Sequence, residues 1–262
     1  MIFLTGDVHD GIKGTLEYEK LGKDELEAAE NYVKILSKYK IKSTLFLNGI
    51  SFKKNPGKIK ELLKFDVELG GHTYDNFGKM NIFKSYINRK FSGCIYGSSF
   101  YQKKDIEKTR KAFEKFGLKM SSWRTHCYGS NEKTFEILKE NNVKYVSDLL
   151  SSGNSLPFEK NEIIHMPINI PVDQNTIAFG ALSPENRNAF ASCTKGRIKA
   201  EEWFEILKKR IIENEKKDIP SIILIHPLTM EVLDNFKLFE KICKFLSKYK
   251  SEKISAFKLK CL

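Results

Sequence analysis

Short apolar runs alternate with longer amphipathic stretches along this chain, and that rhythm restricts the fold more than any other feature. A short buried strand followed by a helix with one apolar face is a βα unit, and a series of them builds a mostly parallel sheet covered by helices. The first strand is expected at Ile2 to Leu4, followed by a helix from about Asp24 to Lys38 whose Leu26, Ala29, Val33 and Leu36 share one face. Ser43 to Leu47 is the next strand, Lys58 to Leu63 a helix, and Val67 to Leu69 a strand that ends in Gly70-Gly71-His72. Helix Lys104 to Phe116 stops at Gly117, a good left-handed terminator; strand Lys119 to Trp123, helix Glu132 to Glu140 and strand Lys144 to Ser147 follow.

From Ser151 to Ala200 the periodicity weakens to one apolar run, Ile163-Ile164, in a stretch rich in Asn, Pro and Ser that suits an extended loop or lid over a site. Order returns with helix Ala200 to Asn214, strand Ser221 to Ile225, helix Leu233 to Tyr249 and a last strand near Ile254 to Phe257. Seven or eight such units without a break in composition predict one domain over residues 1–262, an α/β fold in the form of a distorted, partly closed (β/α) barrel. An open doubly wound sheet is the alternative. With 262 residues, 41% of them hydrophobic, the chain can bury the core such a barrel needs.

The net charge of +12 comes mostly from lysines interleaved with glutamates, and no Arg-rich tract or nucleic-acid-reading motif accompanies it, so no nucleic-acid partner is expected. Five scattered cysteines with no CxxC spacing argue against a disulfide framework or a thiolate zinc site. Together with an amino terminus lacking signal-peptide character, they predict a cytoplasmic protein. The longest apolar run, Ile222 to Ile225, is far below the roughly 18 residues of a spanning segment. The sequence does not fix an oligomeric state.

All five histidines, His9, His72, His126, His165 and His226, fall at or just beyond the carboxyl end of an expected strand. In parallel α/β folds that end of the sheet is where loops converge on a shared cleft. In Thr5-Gly6-Asp7-Val8-His9 the i and i+2 positions share one side, so Asp7 and His9 can point at one ion. Carboxylate plus imidazole suits zinc, iron, cobalt or nickel better than calcium or magnesium. Three further clusters follow: Gly70-Gly71-His72-Thr73-Tyr74-Asp75-Asn76, Trp123-Arg124-Thr125-His126-Cys127-Tyr128 and Ile223-Leu224-Ile225-His226-Pro227.

In their order these four segments resemble the motifs of the NodB-type polysaccharide deacetylases, metal-dependent carbohydrate esterases with a distorted (β/α) barrel. The resemblance implies a divalent metal, zinc first among cobalt, nickel and iron, and removal of an N-acyl group from an amino sugar or glycan precursor. It implies Asp7 as base, His9 and His72 as metal ligands, Arg124 as the group orienting Asp7, and Asp148 as the acid holding Arg124. It further implies His226 as general acid, with Ile225 lining the acyl pocket and Tyr128 contacting substrate. Asn76 stands where the family has its second metal histidine. The third ligand is therefore left among the Asn76 carbonyl oxygen, His126 from the next motif, and Asp7. Two other readings remain. Gly6-Asp7-Val8-His9 also resembles the opening of calcineurin-like metallophosphoesterases, and a non-catalytic carbohydrate binder could sit on the same scaffold.

Overall fold

The computed structural model describes residues 1–9, 25–78, 82–151, 155–178 and 198–259. Strand β1 (Ile2–Val8) lies between β2 (Ser43–Leu47) and β8 (Ser221–Leu224), parallel to both. From β2 the sheet continues in parallel through β3 (Val67–Gly71), β4 (Ser122–Trp123), β5 (Tyr145–Val146) and β7 (Ile163–His165); β6 (Phe158–Lys160) pairs antiparallel on the outer edge of β7. The eight-stranded order is β6-β7-β5-β4-β3-β2-β1-β8, so among the described residues no strand pairing closes the barrel. Its seam is bridged by Asn169. Its backbone N–H donates to the Ile222 carbonyl at 3.2 Å, its Oδ1 accepts from the Ile222 N–H at 3.0 Å, and its Nδ2 donates to Pro220 O at 2.9 Å.

Period-2 alternation separates two apolar regions. Phe3, Ile164, Met166, Ile222 and Leu224 fill the barrel interior, whereas Ile2, Leu4, Val8, Ile223 and Ile225 join the larger core beneath the helices. Strands buried on both faces read as unbroken apolar runs, which is why β1 and β8 were visible in the sequence. Helix α1 (Glu25–Lys38) buries Leu26, Ala29, Val33 and Leu36, the stripe expected of it. Helices α2 (Gly49–Lys54) and α3 (Pro56–Leu62) follow β2; α4 (Ile82–Ser92) and α5 (Ser99–Glu114) fill the long connection from β3 to β4. Ser98 caps α5 by accepting from the Tyr101 N–H, and Asn131 with Thr134 forms a capping box on α6 (Glu132–Glu140). The remaining helices are α7 (Ala200–Lys216), α8 (Pro227–Asp234) and α9 (Lys237–Leu246).

Three expectations are corrected. The helix expected over Leu233 to Tyr249 is instead the end of α8 followed by α9, because Asn235 and Phe236 adopt left-handed φ values of 55° and 65° that an α-helix cannot continue through. The strand expected at Ile254 to Phe257 is a 3₁₀ turn over Ile254–Ala256. There the N–H groups of Ile254 and Ser255 donate to the side chains of Thr44 and Glu68, each at 3.0 Å, in place of a neighbouring strand. The stretch expected as one lid contains the β6–β7 hairpin and a π-helical turn at Gln174–Ala178, while its residues 152–154 and 179–197 lie outside the described residues. Among the described residues, no helix is long and apolar enough to cross a membrane.

Candidate active site

At the carboxyl ends of the parallel strands a cavity of about 800 Å³ opens, lined by Asp7, His9, His72, His126, Tyr128 and His226 among others. Each arrives by a short route. Asp7 is the inward residue near the end of β1, and His9 follows that strand by one residue. His72 directly follows β3, where the two glycines are required by space: a Cβ on Gly71 would sit 2.5 Å from the Trp123 ring, and one on Gly70 would sit 2.6 Å from Ser122 Oγ. His126 opens a 3₁₀ turn beyond β4 in which Cys127 and Tyr128 take left-handed φ of 52° and 53°. His226 is the cap residue between β8 and α8, with Pro227 at the first helical position.

Three imidazoles converge. The ring nitrogens of His9, His72 and His126 that face the cavity lie within 4.8 Å of one another. His9 Nε2 is 3.1 Å from His72 Nε2, and His126 Nδ1 is 3.4 Å from the same atom. The far nitrogens of His9 and His72 are already engaged. His72 Nδ1 donates to the Arg124 carbonyl at 2.8 Å, and a carbonyl can only accept, so in a neutral His72 the proton is on Nδ1 and Nε2 carries a bare lone pair. His9 Nδ1 donates to Glu25 at 2.9 Å, and the His9 backbone N–H donates to the same carboxylate at 2.8 Å. Burial holds His72 neutral by pushing it down to about 3, and burial also pushes His126 well below its ordinary value. Burial disfavours charged His9 too, but the Glu25 carboxylate outweighs it and raises its pKa. Imidazole nitrogens from separate strand ends converge within 4.8 Å of one another, two of the rings tethered through their far nitrogens, and form a donor set that fits a small divalent cation.

Beside this cluster, Arg124 Nη1 donates to Asp7 Oδ1 at 2.7 Å, with Arg124 fully buried and stacked against the Phe46 ring 4.4 Å away. Asp7 Oδ2 is 4.0 Å from both His72 Nε2 and His226 Nε2. Burial alone would raise the Asp7 pKa, but the Arg124 guanidinium together with His72, His226 and His9 outweighs it and holds the carboxyl well below the ordinary range. His226 has its own carboxylate: Asp173 accepts from the His226 N–H and from Nδ1, both at 2.8 Å. Burial opposes the charged ring, yet Asp173 and Asp7 push its pKa up to about 9.

Four residues singled out in the sequence are placed elsewhere than expected. Asp148 does not hold Arg124. Its oxygens accept from the Thr125 N–H and hydroxyl, each at 2.6 Å, while Arg124 is fixed by the Ser147 carbonyl at 2.9 Å and hydroxyl at 2.7 Å. Asn76 has its Oδ1 accepting from Asn48 Nδ2 at 2.8 Å, in a left-handed turn closed by its N–H on Thr73, so of the three contenders it is His126 that stands beside His9 and His72. Ile225 points outward into the core under the helices, because alternation gives the inward positions to Leu224 and His226. His165 leaves the shared cleft, packed between Phe158 and Phe135 with ring centroids 4.9 Å from each. Sequence reasoning missed Glu25 and Asp173. Nothing in their local sequence marks them, since they reach His9 and His226 from 16 and 53 residues away.

The sheet is that of an open (β/α) barrel, with an imidazole cluster, a buried Asp–Arg pair and a carboxylate-backed histidine gathered at its carboxyl end. A family model for polysaccharide deacetylases matches residues 22–146, a little under half of the chain. Over those residues the chain is similar to the polysaccharide deacetylases, and its fold agrees with that of solved structures over nearly its whole length. A protein from Mycobacterium smegmatis assigned as a polysaccharide deacetylase superposes with a TM-score of 0.69 at 14% identity, covering 97% of this chain and 86% of that one. A family 4 carbohydrate esterase from Streptomyces lividans, solved with acetate, gives 0.52 at 12% identity, covering 94% and 88%. A family 4 pseudoenzyme from Bacillus anthracis gives 0.55 at 17% identity, covering 97% and 64%. No curated protein sequence resembles the chain closely enough to count as a match.

Proposed function

We propose that this protein is a metal-dependent hydrolase that removes an N-acyl group, acetyl in the first instance, from an amino sugar or glycan precursor. The observation that carries the proposal is the convergence of His9, His72 and His126 beside the Asp7–Arg124 pair and His226 in one cavity. The three imidazoles would hold the metal, zinc or another late first-row ion, which when bound supplies a Lewis acid and lowers the pKa of water.

The remaining chemistry belongs to the chain. Asp7, kept ionised by Arg124, accepts the proton that water gives up on adding to the acyl carbon. Arg124 is itself immobilised by both groups of Ser147, which fixes the direction of the Asp7 carboxylate. As the C–N bond breaks, the nitrogen departs with a proton from His226, which Asp173 keeps charged at neutral pH. Tyr128 lines the same cavity and would meet the sugar there. Among the described residues only one such imidazole cluster forms, which favours this reading over a two-metal phosphoesterase.

The direct test is release of free amine and acetate from N-acetylated amino sugars by protein loaded with zinc, cobalt, nickel or iron. Turnover that disappears on chelation and returns with metal is expected; failure of every metal with every acylated sugar favours a non-catalytic binder. A pH profile tests the acid. Turnover needs protonated His226, so kcat falls as pH rises through its pKa, near 9 in the intact pair. In Asp173→Asn that descending limb is expected to move toward or below 6.5, the ordinary histidine value, with activity retained on the acidic side.

A further inference from the structure

Helix α4 is amphipathic in the wrong sense for a helix packed on a barrel. None of its residues 83–92 is buried. Its polar side meets the protein: Asn88 Nδ2 donates to the Ile95 carbonyl at 3.1 Å, Arg89 lines the active-site cavity, and the Ser92 carbonyl accepts from Asn131 at 3.0 Å. The apolar side faces out. Phe83 is 71% exposed, Tyr86 60% and Phe91 79%, and Phe100 at the start of α5 adds a fourth aromatic at 68%. On a helix, positions 83, 86, 87 and 90 fall on one face with 91 at its margin, so Phe83, Tyr86, Ile87 and Phe91 form a continuous arc. Soluble monomers rarely expose a contiguous aromatic surface of this kind without a partner for it.

The charge around the arc selects the partner. Residues 76–104 contain six Lys or Arg and no Asp or Glu, half of the net charge of +12 in a small part of the chain. Lys84 and Lys90 are exposed on α4, and Lys104 extends over the Phe100 ring at 4.2 Å. Aromatic side chains ringed by cations match an anionic bilayer, where rings enter the headgroup layer and ammonium groups meet phosphates. A second copy of the chain would set the same cations against one another. Phenylalanine rings, without a hydrogen-bonding group, also suit acyl chains better than sugar hydroxyls.

We propose that α4 and the first turn of α5 form a lipid-facing surface that seats the mouth of the active-site cavity on an anionic membrane. The cavity wall and the lipid face are then two sides of one helix, so a substrate carried on a lipid phosphate reaches the site without leaving the surface. The docking itself does not depend on the hydrolase reading, and vesicle binding is measured apart from turnover and metal binding.

Sedimentation with vesicles tests it. The protein is expected to sediment with phosphatidylcholine vesicles containing phosphatidylglycerol and far less with phosphatidylcholine alone. Phe83→Ser with Phe91→Ser is expected to weaken that partitioning about tenfold or more. Lys84→Glu with Lys90→Glu is expected to abolish the preference for anionic vesicles. None of these four side chains lines the cavity, so circular dichroism and metal binding should remain as in the parent and show that the variants fold. The proposal is overturned if the parent protein stays in the supernatant with both vesicle types, or if the phenylalanine pair binds as tightly as the parent. It is overturned equally if sedimentation velocity reveals a dimer that Phe83→Ser dissolves, which would assign the face to a second copy.

Discussion

Replacing His72 by alanine is expected to abolish stoichiometric binding of a divalent metal and, with it, all measurable turnover. His72 Nε2 is the atom to which both other imidazoles are nearest, at 3.1 Å and 3.4 Å, so its removal leaves two donors without their common neighbour. Loss of a group that merely orients a ligand typically weakens metal affinity about 10–100-fold, and loss of the ligand itself should exceed that. The fold should survive, because the ring sits at a strand end rather than in either apolar core and open catalytic sites contribute less to folding than closed structural ones. Metal analysis after dialysis, read beside circular dichroism, checks this outcome. Full occupancy in the variant would remove His72 from the ligand set.

Asp7→Asn should separate binding from chemistry. The amide keeps the shape of the side chain and an oxygen that can still accept from Arg124 Nη1, so the neighbouring imidazoles should stay in place. It lacks the basicity to take a proton, and kcat is expected to fall on the order of 10²–10⁴-fold, the usual contribution of a general base. A stability loss should accompany it. Leaving a buried guanidinium without its carboxylate costs about 3–5 kcal/mol when a pair is broken from one side, so rates must be referred to folded, metal-loaded protein. Parent-like kcat in that material would show that another group takes the proton.

The legible parts of this molecule are those set by local pattern. β2 and β8 are short runs buried on both faces and α1 carries a regular stripe, so local pattern locates them, whereas β1 is apolar only over Ile2 to Leu4 and continues past the expected end through Thr5, Gly6 and Asp7 to Val8. His9, His72, His126 and His226 were placed because a residue just past a strand has little freedom in where it can go. Errors entered where a single position decides a direction. Ser147 and Asp148 are neighbours, and it is the first that meets Arg124 while the second meets Thr125. Ile225 and His226 are also neighbours on opposite faces of the sheet. Glu25 and Asp173 were out of reach for a different reason: each is brought to its histidine by tertiary packing, and nothing in a linear pattern records that meeting.

The position of β1 between β2 and β8 bears on how the molecule assembles in time. Thr5 Oγ1 in β1 donates to the Ile223 carbonyl in β8, 218 residues further along the chain, at 2.7 Å. Pairing across such a separation carries a large loop-closure entropy and belongs to slow-folding, high-contact-order topologies. The imidazoles, 63 and 54 residues apart in successive steps, share the same dependence on distant pairing. A cation held by these imidazoles would therefore not template the early chain; it would bind the assembled barrel and stabilise it by mass action, slowing unfolding more than it speeds folding.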